Sequence, residues 1–156
     1  IQQFAEVARL FCAWAEGEPD SPEVEAMRAL QFLSKLYQLG LDLPPMFGDE
    51  EPAEVPHEEW MKVYSRFGSL PFNYYMQCGN PQDVPADVPG VADLADDLAD
   101  IWRDLKRGLG LFSAGYVPAA SWEWRQSFWH HWGTHATGGI FALHNWLSVN
   151  SKIAVS

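Results

Sequence analysis

The sequence predicts an all-α domain: one helical bundle of about five helices across residues 1–156, with two long Pro-rich loops. Three observations carry that expectation. Apolar residues recur at three- and four-residue spacing through most of the chain. No stretch alternates like a strand, and no internal repeat is present. The interruptions fall at Pro and Gly, the residues that end helices.

The first helix is expected over Gln2 to Ala15, where Phe4, Val7, Ala8, Phe11 and Ala15 share one face before Gly17 and Pro19 stop it. Asp20-Ser21-Pro22-Glu23-Val24-Glu25 reads as a helix start, with a cap, Pro in the first turn and acids at the positive dipole end. That second helix should run to about Leu39 on Leu30, Leu33 and Leu36 or Tyr37, with Gly40 as its C-terminal stop. Leu41 to Pro56 is a linker with four Pro and the acidic run Asp49-Glu50-Glu51, which either packs across the bundle or is mobile. A short third helix follows from His57 to Phe67, then an irregular aromatic stretch from Leu70 to Met76 that can hold a turn of helix. Pro81, Pro85, Pro89 and Gly90 mark the second loop.

The last two helices are the centre of the prediction. The fourth begins at Asp93, and Leu94, Leu98, Ile101, Leu105, Leu109 and Phe112 form its stripe. Asp97 and Asp104, seven apart, stack on the flank of that stripe and are placed to be half buried. Asp93 and Asp100 lie further out, and Asp96 points away. The fifth runs from Ser121 to Leu147 and packs on Phe128, Trp129, Trp132, Ala136, Leu143, Trp146 and Leu147. Gly139 on this face implies close approach of another helix.

Arg125 falls in the middle of that apolar face. A buried unpaired guanidinium costs several kcal/mol, so Arg125 is expected to pair with Asp97 or Asp104, as a brace between helices rather than a ligand-binding group. His131 and His135 are four apart, so both rings meet on one helical edge, a spacing that metal sites use. No Glu follows the first His, so the metalloprotease form fails. The blander alternative makes one His a hydrogen-bonded boundary residue and leaves the other exposed. No cofactor is expected. Were a metal held, its ligands would come from His131, His135, Asp97 and Asp104.

Composition limits the rest. At 156 residues the chain can bury about two-thirds of its unfolded surface. Eight Trp point first to a large aromatic core and second to a binding surface. The formal net charge of -11 argues against nucleic-acid binding, and no apolar run is long enough to cross a membrane. Cys12 and Cys78 have no metal or redox spacing and read as buried free thiols in a cytoplasmic protein. Nucleophilic catalysis is unsupported: Ser113, Ser121 and Ser127 lack a nucleophile-elbow context, and Gly108-Leu-Gly110 lacks the third Gly and the preceding strand of a phosphate loop.

The segments Asp97-Leu-Ala-Asp-Ile-Trp-Arg-Asp-Leu-Lys-Arg-Gly-Leu, Trp122-Glu-Trp-Arg125, Phe128 and His131-Trp-Gly-Thr-His135-Ala resemble a bacterial family of helical domains of unknown function. The resemblance covers the last third of the chain well and the segment Phe11 to Trp14 more loosely. It implies a soluble, all-helical bacterial domain and supplies no activity. It adds weight to Asp97, Asp100, Arg103, Asp104, Lys106, Arg125, His131 and His135 as one polar set.

Two functional expectations follow. The first is an acidic binding protein whose partner carries a basic surface, an immunity-type inhibitor or an adaptor, with aromatic anchors and charge-steered association. It rests on thirteen acids in residues 1–60 against Arg9, Arg28 and Lys35. The alternative is a metal- or small-molecule-binding bundle, with hydrolysis within its reach, that uses Asp97, Asp104, His131 and His135 with Arg125 on an anionic ligand. No catalytic set is assembled by the sequence.

Overall fold

The computed structural model describes residues 1–84 and 88–152. Among these, helix α1 is Gln2–Glu16, α2 Pro22–Leu41, α3 His57–Arg66 and α4 Leu94–Ser113. The last rod is one continuous piece made of α5 Val117–Ser127, a π turn Phe128–Trp132 and α6 Gly133–Asn150. The all-helical bundle of five rods is therefore present. One departure is a small antiparallel hairpin of strands β1 Tyr74–Gln77 and β2 Gly90–Asp93, with Met76 opposite Val91.

The hairpin corrects the expectation of an irregular stretch or helical turn after Leu70. Each strand has four residues, too short for alternation to register in the sequence, and their separation hides the pairing. Tyr75 and Gln77 turn inward while Tyr74 and Met76 face out. The loop between the strands contains Pro81 and Pro89; Pro85 lies outside the described residues.

Helix α1 buries Phe4, Val7, Ala8, Phe11 and Ala15 as its periodicity requires. Helix α2 starts on Ser21 with Pro22 in its first turn, and does not stop at Gly40. Gly40 is buried inside the helix, where an added Cβ would lie 3.0 Å from the rings of Phe128 and Trp132. The glycine serves close packing of α2 on the last rod, so it is no terminator. Gly139 matches it from the other side: an added Cβ there would lie 2.9 Å from Leu33.

The linker after α2 packs across the bundle. Leu43 is buried, the Ser121 hydroxyl donates to the Pro44 carbonyl at 2.9 Å, and the Phe47 ring meets Trp122 edge-on. The core has Trp102, Trp124 and Trp132 at its centre. Trp129, expected in the apolar face, is 55% exposed. Cys12 is buried, and burial raises its thiol pKa, but Cys78 is exposed, against the expectation of two buried thiols. No helix among the described residues is long and apolar enough to cross a membrane.

The π turn accounts for several of these differences. Trp124, Phe128, Trp132 and Ala136 are all buried at strict four-residue spacing. A 3.6-residue helix drifts about 40° at each such step, and one wider turn absorbs the drift. Gly133 makes room for it, since a Cβ there would overlap the Phe128 carbonyl oxygen. The phase of residues before the turn therefore does not carry through to those after it.

Candidate metal centre

Asp93, Asp97, Asp100 and Asp104 follow one another at four-, three- and four-residue steps, so they line one side of α4. Asp93 caps the helix: its Oδ1 accepts from the Asp96 backbone N–H at 3.0 Å. Dipole placement explains why acids are tolerated at this end. Further down, Asp97 and Asp104 are buried, more deeply than the half burial their spacing predicts. Asp100 lies between them with 13% of its side chain exposed. It is not further out, as the helical wheel suggests.

The last rod places His131 and His135 opposite this row. Their rings sit edge to face at 4.8 Å between centroids. His131 Nδ1 is 2.6 Å from Asp104 Oδ2, and His135 Nδ1 is 2.6 Å from Asp97 Oδ1. Both rings are thus hydrogen-bonded, in place of one bonded and one exposed. With Nδ1 of each ring on a carboxylate, both Nε2 atoms point inward and offer lone pairs once their protons are displaced. The two Nε2 atoms are 3.3 Å apart, and each is 3.4 Å from Asp100 Oδ2.

A second layer holds the acids. Tyr75 of β1 donates its hydroxyl to Asp97 Oδ2. Trp60 of α3 donates its indole N–H to Asp100 Oδ1 at 2.9 Å, and Arg103 reaches the same oxygen at 2.8 Å. The Tyr64 hydroxyl donates to Asp93 Oδ2 at 2.8 Å. Asp100 therefore has Oδ1 occupied by two donors and Oδ2 turned to the histidines. Trp60, Tyr64 and Tyr75 are invisible as partners in the sequence, because they come from α3 and the hairpin. Asp100 is legible from the family resemblance and from its position one turn from both Asp97 and Asp104.

Electrostatics follow the geometry. Hydrogen bonds to Asp100 and Asp104 push the His131 pKa up to about 10, against the effect of burial. Burial opposes charge on His135, but the Asp97 hydrogen bond together with the charges of Asp97 and Asp100 outweighs it and raises that pKa too. Burial likewise opposes the Asp100 charge, yet His131, Arg103 and Trp60 lower its pKa below the ordinary value. Burial first, and then the Asp100 charge, raise Asp96. The centre thus draws in positive charge.

The expected brace from Arg125 to Asp97 or Asp104 is absent. Arg125 is half buried and makes no ion pair or hydrogen bond among the described residues. It precedes the π turn, so its phase differs from that of the histidines after the turn, and the two imidazoles answer the aspartates instead. A flexible Arg stem can lie along apolar surface with its head in water. Lys106 also falls outside the centre, paired with Glu16 at 3.1 Å.

Among the described residues, Asp100, His131 and His135 form one group able to hold a metal ion, and Asp96, Asp97 and His135 another. The first is the better-formed, because its ligand atoms are left over once each His Nδ1 is on a carboxylate.

A family model described as "Domain of unknown function (DUF5063)" matches residues 1–148. The fold is similar to the crystal structure of protein BF1032 from Bacteroides fragilis, with a TM-score of 0.74 and 25% sequence identity over 91% of this chain and 88% of that one. No curated protein matches the chain.

Proposed function

This chain belongs to the DUF5063 family of domains of unknown function, and for it we propose a mononuclear site for a divalent transition-metal ion, bound by His131 Nε2, His135 Nε2 and Asp100 Oδ2. One observation carries the reading: those three electron-rich atoms form a nearly equilateral triangle with edges of 3.3, 3.4 and 3.4 Å. An ion held tetrahedrally at about 2.0–2.1 Å from each donor asks for donors about 3.3–3.4 Å apart. The outer layer has the form that metal-bound histidines use, with each Nδ1–H on a carboxylate that fixes ring and tautomer. Three protein ligands leave a coordination position open. His131 is 40% exposed and His135 23%, so solvent or a small ligand reaches that position.

Without metal, protons supply the positive charge. The His131 pKa near 10 means that a metal must displace a proton, so the apparent affinity should rise with pH between about 6 and 9. Calorimetry of untagged, chelator-treated protein with zinc chloride is expected to give one site per chain. Heats measured in buffers of different ionisation enthalpy should report proton release. His131→Ala or His135→Ala should lower affinity at least about 100-fold, and Asp97→Asn or Asp104→Asn about 10–100-fold. The reading is lost if zinc, manganese, iron and nickel all bind at less than about a tenth of an equivalent and leave the melting temperature unchanged.

Exposed groups elsewhere support a second reading, the acidic binding protein. Asp49, Glu50, Glu51, Glu54, Glu58 and Glu59 are all exposed, and the linker that carries the first four also carries Phe47, whose ring meets Trp122. A basic protein that docks there should lose affinity steeply as salt rises from about 0.05 to 0.5 M, and a flat response over that range contradicts it.

A further inference from the structure

Asp96 is the acid on this side of α4 that the metal centre leaves unused. Asp93, Asp97, Asp100 and Asp104 each accept a hydrogen bond from a side chain of another element. The Asp96 carboxylate accepts none and meets no cation among the described residues. It is nonetheless half buried. It does not point away from the centre, as the helical wheel suggests. One of its oxygens, an oxygen of Asp97 and a ring nitrogen of His135 lie within 4.8 Å of one another. A place in the first turn of α4 explains why an acid is tolerated there. It does not explain why its oxygens stand without donors beside His135.

These three residues make a poor second ion site, since both oxygens of Asp97 are already taken by His135 and Tyr75. Asp96 is therefore a free proton acceptor at the edge of the centre. Burial, and after it the Asp100 charge, raise its pKa, which suits a group that holds a proton during turnover. Charge selects the substrate. Asp93, Asp96, Asp97, Asp100 and Asp104 face Arg103 alone, so one divalent ion leaves these surroundings negative. Phosphate esters and carboxylates are repelled there, whereas an uncharged carbonyl can be polarised.

We infer that the site hydrolyses uncharged carboxylic esters and amides, with Asp96 taking the proton of the attacking water; the inference rests on the metal reading above. A water at the open position gives one proton to Asp96 as its oxygen bonds to the carbonyl carbon. The bond from that carbon to the leaving oxygen or nitrogen then breaks, and Asp96 returns the proton to the leaving atom. The products are the carboxylic acid and an alcohol or amine, and no oxidant or reductant is needed.

The test uses zinc-loaded, untagged protein with p-nitrophenyl acetate, against p-nitrophenyl phosphate as the anionic control. The acetate should be hydrolysed faster than by free zinc at the same concentration, the phosphate should not, and a chelator should abolish turnover. Asp96→Asn should lower kcat about 100-fold. It should weaken zinc binding less than Asp97→Asn does, because Asp96 holds no ligand. Asp96→Ala should behave like Asp96→Asn if the amide perturbs the fold. One bound zinc per chain without turnover of the acetate overturns this inference and leaves the metal reading standing. No bound zinc overturns both. Full activity in both Asp96 variants, or faster turnover of the phosphate, also overturns it.

Discussion

Replacing Glu25 with alanine should cost about 3–5 kcal/mol of folding stability, measured by urea unfolding followed through tryptophan fluorescence. Glu25 is fully buried in the first turns of α2, and both its oxygens accept hydrogen bonds. Its Oε2 takes the Trp14 indole N–H at 2.6 Å, and its Oε1 takes the Asp20 backbone N–H at 2.6 Å and Arg66 at 3.0 Å. Only 9% of the Arg66 side chain is exposed, and its guanidinium lies 5.0 Å from the Trp14 ring centroid and 5.1 Å from that of Phe67. Alanine leaves a desolvated cation, an indole N–H and a peptide N–H with no carboxylate. That penalty far exceeds what the pair itself contributes.

The origin of the loss can be separated. Glu25→Gln keeps an oxygen for Trp14 and Asp20 and removes only the charge, so it should lose less than alanine. In the double variant Glu25→Leu, Arg66→Met the unpaired charge is gone, and part of the loss should return. Recovery should stay incomplete because two N–H donors remain without partners. A loss below about 1 kcal/mol for Glu25→Ala would show that Arg66 finds water or another acceptor easily, against the burial seen here.

This brace is where a buried guanidinium does meet a carboxylate, and the sequence points to another residue for that role. Arg125 was the apparent candidate because a uniform 3.6-residue wheel sets it among tryptophans. Arg66 sits at the polar end of a short helix and gives no such sign. Apolar periodicity reveals which residues share a face of one helix, and on that basis the five rods and most of their buried stripes were legible. It carries no information about partners on other elements. Hence Asp97 and Asp104 were recognisable as inward acids, and His131 and His135 as a pair, while Trp60 and Tyr75 were not. The hairpin escaped because its strands are four residues long. The π turn left one readable trace, the four-residue spacing of Trp124, Phe128, Trp132 and Ala136, which an undistorted helix cannot keep on one side.

The second large effect lies at Gly108, and its sign runs against helix propensity. Gly to Ala inside a helix normally gains about 0.5–1 kcal/mol. Gly110, in the same helix, is exposed with open space where a Cβ would go, so Gly110→Ala should follow that rule. At Gly108 the added carbon would overlap Nε1, Cδ1 and Cε2 of Trp124. That ring cannot swing aside: it is fully buried, its N–H donates to the Leu105 carbonyl at 3.1 Å, and Phe4 and Phe112 lie against it at 4.9 and 5.9 Å between centroids. Relief requires α4 and α5 to separate or the indole to lose its hydrogen bond. Gly108→Ala should therefore destabilise by about 3 kcal/mol or more. Combined with Trp124→Phe, it should cost less than the sum of the two single changes, because the smaller ring removes the overlap. Gly108→Ala and Gly110→Ala shifting the urea midpoint in the same direction would show that α4 and α5 do not approach as closely at Gly108 as the Trp124 contact demands.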